Sequence, residues 1–138
     1  MSGPFWLSHH HDDELNRCYR FGALHVCSRC LGTYPVLFAA MAAQIALRAP
    51  LAHPLDVPLT LALTVPALAD WAYGRFRPQA GTNTLRLVTG VMLGLALGRT
   101  LFVHVQRPFP LALLLQLGLV TAVAGPVILA TYRRRRGD

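Results

Sequence analysis

Four stretches of the chain, about 31–48, 55–74, 84–105 and 109–132, are apolar on every side rather than along one face. Each comes close to the roughly 20 residues an α-helix needs to cross about 30 Å of hydrocarbon. A soluble helix of similar length would alternate polar and apolar faces. The pattern therefore predicts an all-α, polytopic membrane protein with four transmembrane helices. A small Cys/His-rich cap over residues 1–30 precedes the bundle at 31–132, and a basic tail over 133–138 follows it.

Polar and special residues interrupt the apolar runs at few places. Gln44 lies deep in the first span, and Pro58 and Pro66 fall in the second. Membrane helices tolerate proline when neighbours satisfy the freed carbonyls. In the third, "TGVMLGLALG" sets Gly90, Gly94 and Gly98 four residues apart. Small residues at that spacing share one helical face and let another backbone approach, either a neighbouring helix or a second copy in a homo-oligomer.

Composition supports a bilayer: 54% of residues are hydrophobic and 14% charged, above the ~45–50% apolar content of soluble domains. All 13 basic residues are arginine, and against 6 acidic residues they give a net charge of +7. Basic excess can signal nucleic acid, but spans that are apolar all round point to a membrane surface instead, so no nucleic-acid partner is expected. With four spans, ten arginines fall on the side of the two termini and only Arg48, Arg99 and Arg107 near the other. The positive-inside rule then places both termini in the cytoplasm, as in a bacterial inner membrane. Asp12, Asp13 and Glu14 break up any leader-like apolar run, so no cleavable signal peptide is expected.

That orientation gives the three cysteines a reducing compartment, where structural disulfides are disfavoured and metal binding or redox chemistry is favoured. Cys27 and Cys30 form a Cys-x-x-Cys pair, Cys18 lies nine residues upstream, and His9, His10, His11 and His25 are near. Three cysteines with His9 or His10 would close a tetrahedral site for zinc, with iron the alternative. Such a metal would organise a cap that lacks a core of its own. If Cys18 is not a ligand, the open position could hold water, with Asp12, Asp13 or Glu14 as base. Thiol redox chemistry and inert packing are further roles for the cysteines.

A second polar cluster belongs to the same face. Asp70 lies about a turn inside the second span, where an unpaired carboxylate is costly. Its expected partner is Arg86, with Arg75 and Arg77 as alternatives. Thr82, Asn83 or Thr84 can cap the third helix. Asp70, Gln79, Asn83, Arg86 and Thr89 could line a polar mouth for an anionic lipid headgroup or a phosphate-like ligand. Trp6 and Trp71 suit the interface on that side, and His104 and Arg107 on the other.

Ser8-His9, Cys27-Ser28-Arg29-Cys30-Leu31-Gly32-Thr33-Tyr34, Asp70, Gln79, Asn83 and Arg86-Leu87-Val88-Thr89-Gly90 together resemble a family of small predicted membrane proteins, domain of unknown function number 2085. The likeness spans about residues 8–98. It departs at Leu31, where the family often has threonine, and at Trp71, where glycine often follows the aspartate. The resemblance implies a membrane location and a shared polar site, with His9, Cys27 and Cys30 as the common ligand set; it implies no activity. The function expected is an integral membrane protein with a zinc-type site of structural or ligand-binding role. Alternatives are a membrane metalloenzyme acting on a lipid or other anionic substrate, a thiol-redox protein, or a small transporter. A transporter would need a polar path joining Asp70, Gln44 and Gln116.

Overall fold

The computed structural model describes residues 17–22, 24–77 and 81–137. A two-stranded ribbon, β1 (Cys18–Phe21) and β2 (Leu24–Cys27), leads into four helices: α1 (Ser28–Ala46), α2 (Asp56–Phe76), α3 (Asn83–Gln106) and α4 (Leu111–Gly137). All four apolar stretches are helical. Two boundaries differ from expectation. α1 starts three residues early, because β2 runs into it without a loop: Cys27 ends the strand and is also the helix N-cap, with φ −55° and ψ 125°. α4 carries on through the terminal arginines, so the basic segment continues a helix.

The ribbon was not anticipated. It pairs antiparallel, with Cys18 opposite Cys27, Tyr19 opposite Val26, Arg20 opposite His25 and Phe21 opposite Leu24. Gly22, at φ 63°, supplies the left-handed backbone that its tight turn requires. α3 begins as expected, with the hydroxyl of Thr82 accepting from the Leu85 amide at 3.2 Å.

α1 packs chiefly on α3, and α2 sits between α3 and α4. The glycine stripe makes the first contact possible. A Cβ on Gly90 would come within 2.5 Å of the Arg29 carbonyl oxygen, and one on Gly94 within 2.5 Å of that of Thr33. Such contacts leave room for backbone only. The hydroxyl of Thr33 donates across the seam to the Gly90 carbonyl at 3.1 Å, and Gln44 Nε2 to that of Gly98 at 3.2 Å. The stripe's neighbour is thus α1 of the same chain, which a second copy would have to displace.

The interior inverts the rule for soluble proteins. The largest fully buried side chains are Thr60, Thr64, Thr100 and Ser28, while Phe38, Ile45, Leu59, Leu114, Leu117 and Leu129 are exposed. Large apolar groups facing outward and small or hydroxyl groups facing inward are what packing in lipid selects, since lipid solvates leucine as well as a core does. Buried threonines donate back to carbonyls one turn earlier, Thr64 to Thr60 at 2.7 Å and Thr100 to Ala96 at 3.1 Å. Gln116 reaches from α4 to Thr64 on α2 at 2.8 Å. Gln44 and Gln116 are therefore each engaged locally, on different helix pairs.

Two helices, α3 and α4, are long and apolar enough to cross a membrane, with mean hydropathies of 1.6 and 2.2 over their most apolar windows. Only 11% of the α4 window is buried inside the protein, an exposure that water would penalise heavily. α1 and α2 are interrupted by polar groups, Arg29 and Gln44 in one and Asp56, Asp70 and Arg75 in the other.

Candidate functional site: an arginine-lined cavity beside the cysteines

The ribbon lies over the N-termini of α1 and α3. Ser28, fully buried, donates its hydroxyl to the Arg17 carbonyl at 2.8 Å and lies 3.5 Å from Asn83 Oδ1. One side chain thus fastens the segment before β1 to the start of α1 and to the start of α3. Arg17 in turn reaches the Gly74 carbonyl near the end of α2 at 3.4 Å. The sulfur-bearing ribbon and the ends of α2 and α3 that flank their connection therefore meet at one end of the bundle.

Cross-strand pairing places Cys18 beside Cys27, and the helical turn from N-cap to third residue brings Cys30 beneath Cys27. Cys18 and Cys27 are buried, Cys30 is half-buried, and none is in a disulfide. The Cys30 thiol lies within hydrogen-bonding reach of the Cys27 sulfur. Among the described residues no three His, Cys, Asp or Glu side chains are gathered as a metal centre needs. The expected zinc or iron site on Cys18, Cys27, Cys30 and His9 or His10 is thus not assembled among them, and both histidines lie outside the described residues.

Asp70, whose side chain is 7% exposed, forms an ion pair with Arg29, which arrives from the first turn of α1. The sequence nominated Arg86, on the neighbouring helix. Arg86 is close by: a Cβ on Gly81 would stand 3.5 Å from Arg86 Nη2 and 3.8 Å from Asp70 Oδ1. Thr89 completes the group, its hydroxyl 3.5 Å from Asp70 Oδ2. Of the residues expected to form a polar mouth, Asp70, Arg86 and Thr89 are neighbours, Asn83 meets Ser28, and Gln79 lies outside the described residues. Arg29 and Ser28 are the members that sequence reasoning missed. Helical phase could have found Arg29, had the helix been started at residue 28.

Of this group, Arg29 and Arg86 line a cavity of about 190 Å³, together with Arg17, Arg75, Cys27, Cys30, Trp71 and Gly74. Arg75 lies over the Trp71 ring, 5.9 Å from its centre. Larger hollows, about 460 Å³ and 280 Å³, open at the other end of the bundle. The first is bordered mainly by apolar side chains with Gln44 and Arg48. The second contains an ion pair that occupies its own charges: Arg99 Nε and Nη2 each donate to Asp56 at 2.8 Å, and Arg99 also donates to the Pro50 carbonyl at 2.8 Å and to Gln44 Oε1 at 3.1 Å. Arg99 thereby joins α1, α2 and the loop between them to α3. The cysteine-side cavity is lined by four guanidinium groups, and one of them, Arg29, pairs with the Asp70 carboxylate. It brings cationic hydrogen-bond donors and two cysteines to one space.

A helical assembly with small and hydroxyl-bearing side chains inside, large apolar ones outside and two helices apolar enough to cross a bilayer fits a membrane protein. The chain belongs to the predicted membrane protein family DUF2085, whose model matches residues 10–100. The match takes in the ribbon, α1, α2 and most of α3, and leaves α4 outside it. No curated protein and no solved structure matches the chain.

Proposed function

We propose that this protein crosses the bilayer four times, with both termini in the cytoplasm, and that its cytoplasmic mouth receives a small oxyanion, either free or carried on a lipid headgroup. The observation that carries the proposal is the convergence of four guanidinium groups, Arg17, Arg29, Arg75 and Arg86, on one cavity. Arginine presents a fork that matches carboxylate and phosphate oxygens. Four crossings are supported by helix lengths of 19, 21, 24 and 27 residues, which at about 1.5 Å per residue are near the hydrocarbon thickness or beyond it. Polar groups that interrupt α1 and α2 are turned to neighbouring helices: Arg29 to Asp70, Gln44 to Gly98 and Asp56 to Arg99. The cytoplasmic assignment follows from the crowding of arginine at the cavity end.

Trp71 supplies the readout. In a Trp6→Phe background in zwitterionic nanodiscs, inorganic phosphate should produce a saturable change in Trp71 emission if the ligand is free. Phosphatidic acid added to the disc should do so if the ligand is a headgroup. Losing one charge-assisted contact in Arg75→Gln or Arg86→Gln should weaken binding about tenfold. Asp70→Asn should tighten it, because Arg29 is released from its carboxylate. Emission unchanged by either ligand, or binding indifferent to all three substitutions, would refute the receptor.

A further inference from the structure

The arginine-lined cavity has a feature that charge recognition does not use: its wall contains both residues of the Cys27-x-x-Cys30 pair. We propose that Cys27 and Cys30 form a reversible dithiol–disulfide couple, and that the molecule drawn in by the arginines is a small disulfide bearing carboxylates. This rests on the anion-receiving reading of the same cavity and names the substrate class for it.

Three features of the site support it. Cys27 sits where β2 runs into α1, at the helix N-cap, and lines the cavity. Cys30 lies one turn on, hydrogen-bonded to Cys27 and more open than it, so the second sulfur is at hand. Arg17, Arg29, Arg75 and Arg86 border the same space, so a carboxylate held there would bring its molecule's sulfur bond toward the cysteines. Cys18, across the strand from Cys27, is buried and does not line the cavity.

The exchange balances without a further reagent. The Cys27 sulfur attacks one sulfur of the small disulfide, forming a mixed disulfide and breaking the substrate's S–S bond, and the displaced thiolate takes up a proton. The Cys30 sulfur then attacks Cys27, forming the intramolecular disulfide and releasing the second small thiol. Two electrons pass from the protein dithiol to the substrate, and the two thiol protons end on its two halves. In the reverse direction, small thiols reduce the protein.

The test uses the full chain in nanodiscs, incubated with glutathione disulfide as the charged probe and hydroxyethyl disulfide as the uncharged one, and read by intact mass and peptide mapping. The expected result is a Cys27–Cys30 disulfide with Cys18 still a thiol. The charged probe should react faster by about tenfold, and this preference should shrink in Arg75→Gln. Cys30→Ser should trap one glutathione on Cys27. Three intact thiols under both probes, a Cys18–Cys27 bond, or a chelatable metal holding the cysteines would each overturn the couple. Phosphate titration of the same sample shows separately whether the anion receptor survives. Equal rates for both probes would overturn the substrate class while leaving the couple.

Discussion

The double substitution Gly90→Val and Gly94→Val is expected to drive α1 away from α3 and to cost about 3 kcal/mol or more, since overpacking costs about 1–3 kcal/mol even at single sites. At both positions the obstacle is a backbone carbonyl, not a flexible side chain: Arg29 O and Thr33 O, each within 2.5 Å of the added Cβ. Neither helix can yield locally. Separating them also breaks the Thr33–Gly90 and Gln44–Gly98 hydrogen bonds. Thermal unfolding in detergent should show a lowered midpoint or no folded protein. Gly118→Ala on α4, where nothing lies within 4 Å, provides the control and should leave the midpoint in place. A tolerated double substitution would mean that α1 does not pack on the glycine stripe.

Arg99→Leu should cost about 3 kcal/mol, the lower end of what stranding one partner of a buried ion pair brings, because the pair is only partly shielded. The side chains of Arg99 and Asp56 are 18% and 19% exposed. Removing the guanidinium leaves Asp56, Gln44 Oε1 and the Pro50 carbonyl without its three-way bridge. Pairing Arg99→Leu with Asp56→Leu should recover part of the loss, because the second change removes the stranded carboxylate. A double-mutant cycle in chemical unfolding checks this. Strictly additive losses would show that the two residues do not depend on each other.

How far the sequence carries can be seen residue by residue. Apolar runs with no polar face are a signal strong enough to locate all four helices, and their ends shift only where tertiary structure intervenes. At the start of α1 the strand continues directly into the helix, so no loop residue marks the junction. The ribbon did leave a trace: Tyr19, Phe21, Leu24 and Val26 alternate with polar or sulfur side chains around Gly22. Two runs of four residues are too short to compete with the adjoining apolar stretch, and the turn lacks an Asn-Gly signature. The nearness of Asp70 to Arg86 and Thr89 was legible because helix connectivity brings a hairpin's ends together. Asp70's pairing with Arg29 was not, because that end of the bundle offers several arginines to one aspartate and only packing chooses among them.

At the other end the arithmetic was simpler. Within residues 31–132 the acidic residues are Asp56 and Asp70 alone. Placing Asp70 at the cysteine face leaves Asp56 as the carboxylate for Arg99, a pairing that charge counting could have proposed. The glycine stripe announced a close neighbour without naming it, since any backbone fits. Its partner became identifiable only when Gly32, Thr33 and Ala40 of α1 were seen to present an equally small face to it.

The most direct test of the whole arrangement concerns which loops share a compartment. Single reporters Ala52→Cys, between α1 and α2, and Arg77→Cys, after α2, can be placed at exposed positions and labelled in sealed inner-membrane vesicles with a membrane-impermeant maleimide. Labelling is scored as the increment over the parent chain with its native cysteines. Four crossings with the cavity in the cytoplasm predict that Arg77→Cys reacts in inverted vesicles and Ala52→Cys only in right-side-out ones. Both reporters reacting from one side would contradict the four-span arrangement and with it the cytoplasmic anion receptor.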